Sequence, residues 1–179
     1  MVFALVLGFA LVLVAEMIGR LLTNAPFVPT PGAVVDKIAE YAKLSDGEVF
    51  YDLGCGEGQV VRAVAARYPG ARAVGVELAP FPYYLARLGT SHARLPNATY
   101  VRNNLFDVPL TDASCVFLYL LPQAMERLSP KLRRELKAGS RVITYDFRLE
   151  DWHPTHTEEV RVGTGRRPHT LYFYTNEKG

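Results

Sequence analysis

VFYDLGCGEGQVV, residues 49–61, opens as an apolar run, ends that run on Asp52 and Leu53, and then alternates Gly54, Gly56 and Gly58 with Cys55 and Glu57. A backbone uses glycine where it must take a positive φ or pass close to another group. With the helical pattern of QVVRAVAARY (59–68) behind it, the stretch predicts a strand, a glycine loop at its carboxyl end, and a helix. Strand patterns recur at ARAVGVEL (71–78), ATYVRN (98–103), SCVFLYLL (114–121) and SRVITYDF (140–147). Helical patterns separate them at 80–93 and at 122–137, the second expected to be broken or kinked around Pro130. Short apolar strands alternating with helices predict a parallel sheet covered on both faces. HTEEVRV (156–162) and HTLYFYT (169–175), joined by the turn signal GTGRRP, predict a terminal strand pair. The expected fold is one doubly wound α/β domain over residues 31–179, with a mostly parallel seven-stranded sheet.

Upstream of that domain, Thr30 is expected to cap a helix that starts at Pro31 and turns Val34, Val35, Ile38, Tyr41 and Ala42 to one face. Residues 23–30, rich in proline, read as a stiff linker. Residues 1–22 carry no charge before Glu16; the 21 residues from Val2 to Leu22, as a helix, reach about 30 Å, the thickness of one bilayer core. Glu16 stands one turn before Arg20, so the pair can reach the interface together. The segment is therefore expected to be a membrane anchor, with an amphipathic or buried helix as the alternative. Lys and Arg follow it and none precedes it, which places the catalytic domain in the cytoplasm. With 20 basic and 18 acidic residues, the chain has no charge excess that would favour a nucleic-acid partner. Cys55 and Cys115 are expected to be small buried thiols, and no cysteine or histidine spacing suggests a metal.

Two ligand classes use glycine loops at this place in a doubly wound sheet, and their charges differ. A dinucleotide brings a pyrophosphate and wants GxGxxG, but the sixth position counted from Gly54 is Gln59. S-adenosylmethionine brings a sulfonium and an ammonium group, and Asp52 at the strand end suits such a cation. Glu77, 19 residues after Gly58, ends the next strand, where a carboxylate accepts from ribose hydroxyls. Glu77 alone supports either nucleotide; the loop and Asp52 favour S-adenosylmethionine.

DLGCGEG with Glu77 resembles the class I, Rossmann-like S-adenosylmethionine-dependent methyltransferases. PFVPTP, YDLGCGEGQVV, VGVELAP, VFLYLLPQAMERLSPKLRRELKAGSRVITYDF and WHP are similar to one group among them, from about Pro26 to about Pro154. These are the protein lysine methyltransferases that include the membrane-anchored mitochondrial enzymes acting on the ATP synthase c-subunit and the adenine nucleotide translocase, with soluble archaeal relatives. The resemblance implies cofactor contacts from Asp52, Gly54, Cys55, Gly56, Gly58 and Glu77. It implies an adenine contact at Asn104, beside Leu105, where such enzymes usually carry an acid; Asp107 is the reserve, and the plain alternative is that Asn103 and Asn104 are turn residues.

Methyl transfer from a sulfonium is an in-line displacement in which the protein aligns donor and acceptor and sheds water. A lysine amine, with an ordinary pKa of about 10.4, must also lose a proton. Groups for that task are expected past the fourth and fifth strands: Tyr119 and Asp146 as catalytic residues, with Thr30, Leu120, Leu121, Pro122, Tyr145 and Phe147 binding the acceptor. Tyr119 is equally readable as core, and Asp146 as the partner of a neighbouring arginine. Trp152 is expected to pack over the sheet end, and KLRRELK (131–137) to be a solvated basic face or a lipid-headgroup contact. The expected acceptor is a protein, and specifically a membrane protein. A membrane-presented lipid or quinone, or a non-catalytic cofactor-binding module, are the alternatives.

Overall fold

A computed structural model describes residues 28–163 and 168–177. The membrane-anchor expectation for residues 1–22, most of the linker and most of the GTGRRP turn lie outside the described residues. No helix among the described residues is long and apolar enough to cross a membrane.

Among the described residues, eleven elements follow the order anticipated. Helix α1 is Gly32–Tyr41, β1 Val49–Leu53, α2 Gln59–Arg67, β2 Arg72–Val76, α3 Pro80–Ala93 and β3 Ala98–Val101. Then come β4 Cys115–Leu118, α4 Pro122–Glu135, β5 Arg141–Tyr145, β6 His156–Val160 and β7 His169–Thr175. The seven strands form one sheet in the order β3-β2-β1-β4-β5-β7-β6. The first five are mutually parallel, and β7 runs antiparallel to both β5 and β6. The order reverses between β1 and β4, and the crevice outside the carboxyl ends at such a switch point is where ligands bind in sheets of this kind.

Burial follows from the period-two alternation of strands with both faces covered. Phe50, Ala73, Cys115, Phe117, Ile143 and Tyr145 turn to one face, where they share a core with Val34 and Ile38 of α1 and Val60, Val61 and Val64 of α2. Tyr51, Leu53, Val74, Val116, Leu118 and Val142 turn to the other and pack with Met125, Leu128 and Leu132 of α4. Trp152 is buried in this second core, edge-on to Tyr174, with its indole N–H donating to Ser129 Oγ at 3.0 Å. Both cysteines are buried and unpaired.

Three local expectations change. Pro31, not Thr30, is the N-cap of α1: its φ of −61° and ψ of 143° leave it outside the helix, no side chain caps, and its carbonyl accepts from Val34 and Val35. Helix α4 continues through Pro130 without a break. Pro130 and Glu126 both face solvent, where the carbonyl that the missing N–H leaves free can be hydrated. The basic stretch 131–137 is also not uniformly solvated. Lys131 is buried against Glu135 at 2.6 Å, and Arg133 donates to the Asp151 carbonyl and covers the Trp152 ring.

Candidate active site

The glycine loop is tied to the neighbouring strand by its own amides. Gly54 and Cys55 both donate to the Val76 carbonyl, at 2.8 and 3.0 Å, and Gly58 donates back to Cys55 at 2.9 Å. Gly54, Gly56 and Gly58 have φ of 85°, 53° and 73°, a region that side chains with a Cβ disfavour, and Gly58 is the N-cap of α2. A Cβ on Gly58 would overlap the Tyr100 ring, and one on Gly54 would stand 3.0 Å from Leu120 Cδ2. Leu120, just past β4, therefore roofs the loop that follows β1.

Glu77 lies across this loop. One carboxylate oxygen accepts from Gly56 N at 3.0 Å and the other from Ala79 N at 2.8 Å. A carboxylate has about four acceptor positions, so two remain for a diol. Asp52 is only 3% exposed and forms no ion pair among the described residues. Its burial first, and the charge of Glu77 second, push its carboxyl up to about 8. A buried acid without a cationic partner is costly, and a ligand bearing positive charge removes that cost. A pyrophosphate would add to it. The loop, Asp52 and Glu77 thus fit S-adenosylmethionine. The Cys55 thiol is buried in the loop, 3.8 Å from the Gly56 carbonyl, and burial holds it well above the ordinary range.

The adenine side is less direct. Asn103 Oδ1 accepts from Asn104 N at 2.8 Å, and Asn104 Oδ1 accepts from Phe106 N at 3.1 Å. Both asparagines build the turn after β3, as their plain reading has it. Asn104 keeps one acceptor position, Leu105 is half-buried beside it, and Asp107 is exposed.

Across the crevice, β4 ends at Leu118 and β5 at Tyr145, so the residues picked out for the acceptor side stand on the loops just beyond, or at the very end of β5. Tyr119 and Tyr145 pack with ring centroids 4.6 Å apart. Burial, then the charge of Asp146, raises the Tyr119 hydroxyl, and the same causes raise Tyr145 further. The Tyr145 hydroxyl is buried and has no hydrogen-bond partner. Leu121 and Pro122 are exposed at the start of α4, and Phe147 is fixed through its backbone, donating to the Tyr145 carbonyl at 2.8 Å. Thr30 directly precedes the Pro31 cap, and α1 then runs along β6, where Lys37 pairs with Glu158 at 2.9 Å and Tyr41 stacks on His156.

Asp146 corrects one expectation. Its partner is not an arginine but His169, whose Nδ1 is 2.9 Å from Asp146 Oδ2. His169 carried no signal by spacing, because its place depends on the register of β7 against β5. Among the described residues no group of three or more His, Cys, Asp and Glu side chains could hold a metal ion. His156 stacks on both Tyr41 and Phe173, whose own rings lie 4.5 Å apart, and His153 is exposed.

Residues 52–156 match the family model of the ANTKMT methyltransferase domain. A protein-lysine N-methyltransferase of Saccharolobus islandicus is 36% identical over 157 residues, 84% of this chain and 93% of that protein. The mouse adenine nucleotide translocase lysine N-methyltransferase is 34% identical over 145 residues, and the mouse ATP synthase c-subunit lysine N-methyltransferase 32% over 140. These alignments take in 80% and 78% of this chain but 61% and 56% of the mouse proteins. Among solved structures, an RNA methyltransferase from Salinibacter ruber in complex with S-adenosyl-L-homocysteine superposes with a TM-score of 0.76 at 33% identity, covering 85% of this chain and 95% of that one. With the family model spanning the glycine loop, Glu77 and the Tyr119 and Asp146 edge, the chain belongs to the ANTKMT methyltransferase domain family.

Proposed function

We propose that this chain is an S-adenosylmethionine-dependent methyltransferase acting on lysine side chains of a protein. The observation that carries the reading is the unpaired, buried Asp52 beneath a glycine loop whose opposite wall is Glu77. It supports a cationic nucleotide donor, and the edge of Tyr119, Tyr145 and Asp146 supports an amine acceptor.

When bound, S-adenosylmethionine supplies a methyl group already activated by its sulfonium. The chain's own residues have three tasks. Glu77 and the loop amides hold the donor's ribose and methionine portion, and Asp52 offsets its positive charge. Leu120 closes over Gly54 and excludes water between donor and acceptor. The Tyr119 and Tyr145 hydroxyls and the Asp146 carboxylate offer acceptors that orient an incoming amine along the line of displacement.

The same reading extends to the membrane. Residues 1–22 are proposed as an anchor with the catalytic domain on the cytoplasmic side, and the acceptor as a membrane protein. Two features support this. The chain joins α1 at the carboxyl edge, beside the acceptor residues. Leu78, Phe81, Tyr84, Val101 and Leu121, all at least 39% exposed, end the parallel strands or open the helices at that edge. An apolar rim around the crevice suits an acceptor presented at a lipid surface.

Incubating membranes with the full chain and donor labelled on its methyl group tests the reading. Label is expected in protein and, after acid hydrolysis, in methyl-lysine. Label confined to the organic extract or to RNA, the polymer named for the Salinibacter ruber protein, would overturn it.

A further inference from the structure

We propose that His169 and Asp146 form an oriented imidazole–carboxylate pair that takes the proton from the acceptor's ammonium group; this rests on the lysine reading above. Asp146 is a non-glycine residue at φ 63°. Aspartate tolerates that conformation, but surrounding structure has to hold it there. Strand β7 does so from the side. Asp146 N donates to the Thr170 carbonyl at 2.8 Å, and Asp146 Oδ1 accepts from Thr170 N at 3.2 Å. The second oxygen, Oδ2, is left for His169 Nδ1 at 2.9 Å. An ionised carboxylate only accepts, so Nδ1 carries the hydrogen, and in the neutral ring Nε2 then holds the free lone pair. A base oriented by an acid in this way is a recurring catalytic arrangement.

The surroundings fit the role. The His169 ring lies 5.4 Å from Tyr145, whose buried hydroxyl is unpartnered, and Tyr145 in turn packs on Tyr119. His169 is 40% exposed, so a proton it receives can pass to water. The titratable and charged groups around it among the described residues are Tyr119 beyond β4, Tyr145 at the end of β5, Asp146 just past it, and Glu159 and Arg161 flanking the facing Val160. From α1, none precedes Asp36. In the step, the Nζ–H bond breaks, the proton passes to Nε2, and its electron pair stays on nitrogen as the attacking lone pair. The N–C bond then forms as the donor's C–S bond breaks, with that pair remaining on sulfur, and the imidazolium releases its proton to water.

At pH 7.5 only about 0.1% of free lysine is neutral, so a positioned base has a large effect to supply. The test uses the full chain with a detergent-solubilised membrane-protein fraction and saturating donor, following methyl-lysine formation from pH 6 to 10. His169→Asn is expected to lower the rate about 100-fold at pH 7.5. Its rate should then climb about tenfold per pH unit toward the ordinary lysine pKa and meet the wild-type rate within about threefold at pH 10. Donor affinity by calorimetry should change less than about twofold, which a role in folding alone would not predict. Asp146→Asn keeps a residue that tolerates the left-handed corner, and the same convergence is expected of it. Parallel pH profiles, no loss at pH 7.5, or loss of donor binding in both variants would overturn the inference. If the wild-type chain forms no methyl-lysine, it is the lysine reading that fails instead.

Discussion

Asp52 makes donor binding a proton-linked event whose size follows from its burial. With a carboxyl pushed up to about 8, roughly 1% is ionised at pH 6, about 9% at pH 7 and half at pH 8. A cation that binds the ionised form gains apparent affinity in proportion to that fraction. Affinity should therefore rise about 50-fold between pH 6 and pH 8, and only about twofold beyond. Asp52→Asn holds the site near its neutral level at every pH. The ratio of the variant's Kd to the wild-type Kd cancels the titration of the donor's own amine and should grow by that same factor. Relative to Asp52→Asn, which shares the donor amine's contribution, isothermal titration calorimetry in buffers of different ionisation enthalpy should show about 0.9 more proton released on binding at pH 7 and about 0.5 more at pH 8. Stability moves in the opposite sense. The folded pKa lies above the unfolded one, so the native state binds the extra proton between roughly pH 4 and pH 8 and loses stability as pH rises through that window. Without donor, Asp52→Asn should therefore melt above the wild type at pH 8, and the gap should close toward pH 4. A Kd ratio that stays flat from pH 6 to 8 would refute the reasoning, because Asp52 would then not face the donor's charge.

Three further outcomes are expected. Glu77→Gln keeps a side chain of similar shape but loses the charge and one carboxylate oxygen, and should weaken donor binding at least tenfold by calorimetry; unchanged affinity would place the ribose elsewhere. Gly75→Ala puts a Cβ 2.6 Å from Cys55 Sγ and 2.7 Å from the Tyr100 ring, and should destabilise the fold by about 1–3 kcal/mol in urea titrations, while a neutral result would mean the loop yields freely. Tyr119→Phe removes one hydroxyl at the acceptor edge and should lower kcat about tenfold with donor Kd unchanged; equal turnover would remove it from the mechanism.

The glycine loop, Asp52 and Glu77 were legible in the sequence because each is forced by local physics: a turn only glycine makes easily, and acids where strands end. Helix α3 and strand β7 likewise begin and end where residues 80–93 and 169–175 place them. What escaped was register and competition. His169 gains its partner only because β7 runs antiparallel to β5 with Leu171 opposite Tyr145, a pairing that periodicity along the chain does not specify. Thr30 lost the cap because Pro31 stays extended and its carbonyl opens the helix instead. At Pro130 the penalty expected of a mid-helix proline falls on a solvent-facing turn that can absorb it. Asn104 turned its carbonyl to the Phe106 amide, the local bond that asparagine makes in turns.

The central claim is that this crevice moves a methyl group to a protein lysine. Peptide mass spectrometry of membrane proteins incubated with donor and either the wild-type chain or Glu77→Ala tests it most directly. Lysines heavier by one or more methyl groups are expected with the wild type only. Lysines left unshifted, while methyl groups appear on lipid, RNA or no acceptor at all, would contradict it.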